Sequence, residues 1–301
     1  MNETKKSDKF IELETEAKKA ETLEELFVVW KRAHTLEVEE WENSKDGKKA
    51  GQQKPDTVPS AFLKTVPANL LDETMKKSFC GDGYIGTSRL AKEPRNNKNN
   101  ANNELNKFNR FIVLKEENHI QEKEDWEQGI SPYNTYYGDW AYNNEKALVK
   151  KVRDKKGEEK EKSTATNATK LGNILALIDE YEVTKKFEGK HCSKKDIQKL
   201  IRKSAIVNIN KRGGIEESDY KDLVKYIAFY DEFFLKEIDL LRIQGSNLEF
   251  IVFGINEKYY KKIKELLEGK CEEWGVEVKL LNLMHPSRYS VQNIKKALKE
   301  E

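Results

Sequence analysis

Hydrophobic and polar positions follow two different periods along this chain. From Lys9 to Glu42 the apolar residues recur every three to four positions, in IELETEAKKA and then LEELFVVWKRAHTLEVEEW. That spacing places them on one face of a helix. It returns in AFLKTVPANLLDETMKKSF, and CGDGYIG then interrupts it. From Phe108 onward the pattern changes. Four short runs, RFIVLK, SAIVNIN, LEFIVFG and VEVKLLNLM, are apolar without alternation. A strand with one wet face alternates, whereas a strand covered on both faces does not. Amphipathic stretches lie between the runs, around Leu171 to Tyr181, Tyr220 to Leu241 and Asn256 to Glu273. Strand–helix–strand repetition of this kind predicts an α/β protein, three layers α/β/α, built on a mostly parallel four-stranded central sheet.

The polar stretch Ser44 to Pro55 reads as a linker. The expected division is therefore a helical extension with its linker over residues 1–55 and an α/β domain over 56–301. NNKNNANNELN, Asn96 to Asn106, is a low-complexity loop, and KVRDKKGEEKEKSTATNATK, from Lys151, reads as a charged, mobile insertion. Lysines crowd Lys185 to Lys203 and acids crowd Glu37 to Glu42, as solvated faces commonly do. No internal repeat is present.

Charge refines this picture only a little. Of the 301 residues 36% are charged, yet the net charge is +2, so no chain-wide basic character points to nucleic acid. A small basic groove remains compatible with that balance. The three cysteines, Cys80, Cys192 and Cys271, form no CxxC pair, which argues against structural zinc or an iron–sulfur cluster and for free thiols in a reducing compartment. His34, His119 and His191 show no ligand spacing, so neither metal nor cofactor is expected. MNETKKSDKF lacks an apolar leader and no run approaches membrane-spanning length, which predicts a cytoplasmic protein with no membrane partner.

Each predicted strand ends in polar or special residues: Lys115-Glu116-Glu117-Asn118, Asn208-Ile209-Asn210-Lys211, Gly254-Ile255-Asn256 and His285-Pro286-Ser287. In an open parallel sheet, ligands bind beyond the carboxyl ends of the strands. Topology should gather these four ends around one crevice. A proline can stop a strand with an incidental histidine before it. The gathering of ends is what favours His285 as a site residue.

HPSRYS, His285 to Ser290, entered from the last strand, resembles the closing motif of the uracil-DNA glycosylase superfamily. That motif is His-Pro-Ser, a variable residue, a bulky apolar residue and Ser, and Tyr289 stands at the bulky position. The spacing from Gly254 fits as well. IVNINK supplies Asn208 where the family has a base-reading asparagine at the end of its second strand. The opening motif, Gly-Gln-Asp-Pro-Tyr, is not literally present; LKEEN stands against it, with Glu117 at the aspartate position. GISPYN, Gly129 to Asn134, is the rival placement, but QEKEDWEQ before it is no buried strand. SPYNTYYGDW then reads as an aromatic loop lining the pocket. The resemblance spans roughly Gly83 to Glu301.

What the resemblance implies is recognition of a flipped base in DNA, single-stranded or damaged, with hydrolysis of its N-glycosidic bond. In that reading His285 stabilises the departing base and Glu117 orients water or offsets the positive sugar, making these two the catalytic pair. Asn208 reads the base edge, and Glu116 stands beside Glu117 in the substrate site. Ser131 and Tyr133 belong to the rival opening motif. Tyr133, Tyr136, Tyr137 or Trp140 would stack on the base, Ser287 would bind a phosphate, and Tyr289 would wedge into the stack. Lys211, Arg212 and Arg288 would meet the DNA backbone. The plainer alternatives are a loop histidine, a surface carboxylate, a capping asparagine, packing tyrosines and a turn at Gly213-Gly214. Two rival functions stand beside the glycosylase: a non-catalytic binder of nucleic acid or nucleotide, and an enzyme acting on a free nucleoside or nucleotide.

Overall fold

A computed structural model describes residues 6–43, 107–116, 149–153, 159–163, 166–185, 193–211, 220–254, 256–285 and 291–299. In chain order the elements are α1 (Asp8–Lys19), α2 (Leu23–Asn43), β1 (Arg110–Glu116), β2 (Val149–Arg153), β3 (Glu159–Ser163), α3 (Thr166–Thr184) and α4 (Lys194–Arg202), followed by β4 (Ala205–Asn210), α5 (Tyr220–Leu241), β5 (Leu248–Phe253), α6 (Glu257–Glu273), β6 (Val278–Leu283) and α7 (Val291–Ala297). The four apolar runs are β1, β4, β5 and β6. They form one four-stranded, wholly parallel sheet in the order β4-β1-β5-β6.

Helices cover both faces of the sheet, giving three layers. Phe111, Val113, Val207, Ile209, Phe250 and Val252 turn toward α1, α2, α5 and α6. Ile112, Ile206, Ile251, Phe253, Leu281 and Leu283 turn toward α3, α4 and α7. Successive residues of a strand point to opposite faces. With both faces covered, apolar residues fall at successive positions, and the absence of alternation in the sequence follows. Burying each such side chain contributes about 1.5–3 kcal/mol before chain entropy is set against it.

Helices α1 and α2 belong to this same core. Phe10 packs on Phe229 with ring centroids 4.3 Å apart, and Trp30 lies 5.6 Å from Phe233 and 6.4 Å from Tyr230. The helical signal from Lys9 to Glu42 is broken once, by a capping box at the start of α2. The Glu25 amide donates to Thr22 Oγ1 at 3.2 Å and the Thr22 amide donates to Glu25 Oε2 at 3.3 Å.

Two local elements depart from the sequence reading. The charged insertion contains an antiparallel hairpin, β2–β3, whose register sets Lys151 opposite Glu161 and Arg153 opposite Glu159. Opposite charges directly across a ladder favour pairing. The lysine-rich stretch contains α4, started by a capping box between Ser193 and Asp196, with Ile197 and Ile201 buried beneath it. Helix α3 meets α4 closely. A Cβ on Gly172 would lie 1.8 Å from Ile197 Cγ2.

The far end of α3 is tied to the amino ends of three strands. Arg110 of β1 reaches Asp179 at 2.6 Å and pairs with Glu249 of β5. Lys279 of β6 reaches the same Glu249 at 3.0 Å and pairs with Glu182. This ionic lattice orients α3 so that its N-terminus points toward the carboxyl edge of the sheet. The stretches 44–55, 61–79 and 96–106 read from the sequence lie outside the described residues.

Candidate functional site

The chain leaves β1, crosses by α3 and α4 to β4 on one flank, and returns by α5 to β5 on the other. The direction of strand addition therefore reverses between β1 and β5. In a doubly wound sheet the usual ligand position is beyond the carboxyl ends of the strands at such a reversal. β4 lies beside β1, and β6 lies beside β5.

Asn208 is in the carboxyl half of β4, opposite Leu114, and is 4% exposed. It shares a face of the sheet with Ile206, the face covered by α3, α4 and α7. Asn210, wholly buried, follows on that face opposite Glu116, the last residue of β1. His285 is the second residue beyond β6 and half-buried. It follows Leu283, the last strand residue, whose side chain lies on that face. β4 and β6 are separated by the two inner strands, so their axes stand roughly 14 Å apart at ~4.8 Å per strand. A ligand of nucleotide size spans that distance.

Two of the strand-end residues have other work. Asn256 is the N-cap of α6, its side chain accepting from the Tyr259 amide at 3.2 Å. Lys211 does not face solvent, and this corrects its assignment to the DNA backbone. Its ammonium is 0% exposed and lies 2.7 Å from Glu237 Oε2, itself 0% exposed. The same Nζ donates to the Asn208 carbonyl at 2.6 Å and stands 5.0 Å from the Trp30 ring. The Lys211 amide donates to the Tyr226 hydroxyl at 3.2 Å, and that hydroxyl is 2.8 Å from His34 Nε2. A lysine following a strand end usually reads as solvent-exposed. Only the position of Glu237, one apolar face along α5, carries any signal of a buried partner.

Gly254 lets β5 turn into α6 at this edge. A Cβ there would meet the Tyr259 ring at 2.8 Å. Glu117, Ser131, Tyr133, Tyr136, Tyr137, Trp140, Arg212, Ser287, Arg288 and Tyr289 lie outside the described residues. Among the described residues no group of three His, Cys, Asp or Glu could hold a metal, and no helix is long and apolar enough to cross a membrane.

A groove of about 720 Å³ lies elsewhere, along the carboxyl-terminal halves of α5 and α6. Those halves adjoin the amino end of β1, where the Phe108 amide donates to the Leu241 carbonyl at 2.8 Å. Its lining mixes Lys18, Lys236 and Lys262 with Asp231, Glu232 and Glu265, and Lys18 pairs with Glu232 at 3.1 Å. The charges largely answer one another, and no single ligand chemistry is favoured.

The fold is that of an open, doubly wound α/β protein with three layers around a parallel four-stranded sheet. Comparison with protein-family models, with curated proteins and with solved structures finds no match.

Proposed function

We propose that the carboxyl edge of the sheet, at the strand reversal, receives a base turned out of DNA and hydrolyses its glycosidic bond, in the manner of a uracil-DNA glycosylase. The support is a single juxtaposition: Asn208, late in β4, and His285, just beyond β6, lie toward one edge of a parallel sheet, on either side of the strand reversal. Asn208 supplies a donor and an acceptor suited to a pyrimidine edge. His285 donates a hydrogen bond to the oxygen of the leaving base as negative charge develops there. Glu117, just beyond β1, orients the attacking water.

Cleavage of uracil-containing oligonucleotides, single- and double-stranded, is the direct test. Replacing His285 by Ala removes one preorganised donor and should lower the rate by about 10²–10³ while the fold persists. Glu117→Gln keeps the shape without the charge and should cost a similar factor if the carboxylate acts at the sugar. Under the rival placement Glu117 is insensitive, and Ser131 or Tyr133 shows the defect instead. A wild-type protein that cleaves no uracil substrate in either strand state sinks the enzyme.

A second reading, a binding module without chemistry, is favoured by one observation: LKEEN stands where the family has Gly-Gln-Asp-Pro-Tyr. It predicts salt-dependent DNA binding, from counterion release, with no cleavage. Absence of binding at low salt redirects the site to a free nucleotide.

A further inference from the structure

The buried charge pair beneath the end of β4 does more than stabilise. We propose that Lys211 is a positioning residue for Asn208, anchored by Glu237 and sealed by Trp30; the inference rests on the base-reading role given to Asn208 above. The Lys211 ammonium and the Glu237 carboxylate are both 0% exposed and 2.7 Å apart. From that fixed point Nζ donates to the carbonyl of Asn208 at 2.6 Å. The Trp30 and Phe27 rings of α2, 5.0 and 5.9 Å from Nζ, keep water from it. The Lys211 amide is held as well, by the Tyr226 hydroxyl at 3.2 Å.

Three physical considerations turn this geometry into a role. A buried ion pair is a poor source of net stability, because desolvation offsets the attraction and apolar residues of equal volume commonly serve as well. Among the described residues β4 pairs with β1 alone, whereas β1 and β5 each have a ladder on both sides. Fixing the peptide plane after Asn208 fixes the direction in which its side chain leaves the strand. Site geometry is sensitive to displacements of an ångström. The N-terminal helices thereby enter base recognition without touching the base: α2 excludes water from the anchor, and α5 supplies its counter-charge.

The test removes both charges together, since removing one leaves the other buried and unpaired. In full-length protein, Lys211→Met combined with Glu237→Leu should still unfold cooperatively. Amide hydrogen exchange at residues 208–211 should rise at least about tenfold while β5 amides stay as protected as before. The preference for a uracil-containing single-stranded oligonucleotide over its abasic counterpart should fall about tenfold, toward the value for Asn208→Ala. Salt-dependent binding of a uracil-free oligonucleotide should not change. Lys211→Arg, which keeps the charge but not the single ammonium contact, is read in the same way should the double variant fail to fold. Unchanged protection at residues 208–211 overturns the proposal, and so does unchanged preference in a loosened β4. A wild-type protein with no preference for uracil sinks the base-reading role itself; faster exchange in that case still identifies Lys211 as the anchor of β4.

Discussion

Glu249 stands between two cations, Arg110 on β1 and Lys279 on β6. Burial by itself would push its carboxyl up. The charges of Arg110 and Lys279, with their hydrogen bonds, outweigh that burial and hold the group below the ordinary carboxylate range. A carboxyl depressed in the folded state stabilises at any pH above its unfolded value, about 4.3, and loses that contribution as pH falls through the folded value. Glu249→Gln should therefore lower the unfolding free energy by about 1.5–3 kcal/mol at pH 7, the range for hydrogen bonds to charged groups. The gap to wild type should close progressively below about pH 4. Denaturant unfolding at several pH values reads this directly, and a gap independent of pH would mean that shape, not charge, is what Glu249 contributes. At this scale the sequence is selectively informative. The strand positions of Asn208 and His285 are legible because apolar runs lead into them, whereas the burial of Lys211 depends on Glu237 and Trp30, which are distant in sequence and carry no spacing relation to it.

Elements were legible where their environment is uniform. Each strand of the central sheet is covered on both faces, so its apolar run is continuous and its limits are plain. β2 and β3 are written in VKKVR and EKEKS, where charge masks the strand period. In α4 the signal was present as Ser193 and Asp196 three residues apart, followed by Ile197 and Ile201, but lysine density concealed it. The contact of α3 with α4 makes a sharp prediction. Gly172→Ala gains roughly 1 kcal/mol in helix propensity. It also drives a methyl to within 1.8 Å of Ile197 Cγ2, and overpacking of that kind costs about 1–3 kcal/mol or more. The overlap should win, and the variant should melt below wild type. Adding Ile197→Ala makes room and should return part of the loss relative to the sum of the two single changes. Strict additivity of the two would show that the helices separate without strain.

At the scale of the whole molecule the sequence order and the spatial order disagree. β1 is inner, but its neighbours begin only at Ala205 and Leu248. Helices α1 and α2 find their partner in α5, and Lys6 pairs with Asp231 across 225 residues of chain. During synthesis, then, the first helices leave the ribosome long before α5 exists to pack on them. Among the described residues, Phe10 and Trp30 reach their aromatic partners Phe229, Tyr230 and Phe233 only when α5 emerges. Contacts of such long range also make folding slow, because loop closure precedes its reward. Chains stopped at Lys203 should lose residues 6–43 to brief proteolysis, while chains extended through α6 should protect them. Protection already present in the shorter chain would reveal a partner for those helices other than α5. The apolar stripe on α1 and α2 is in this sense a delayed commitment: a surface that calls for chaperone holding early in synthesis and becomes fully interior only once α5 has been made.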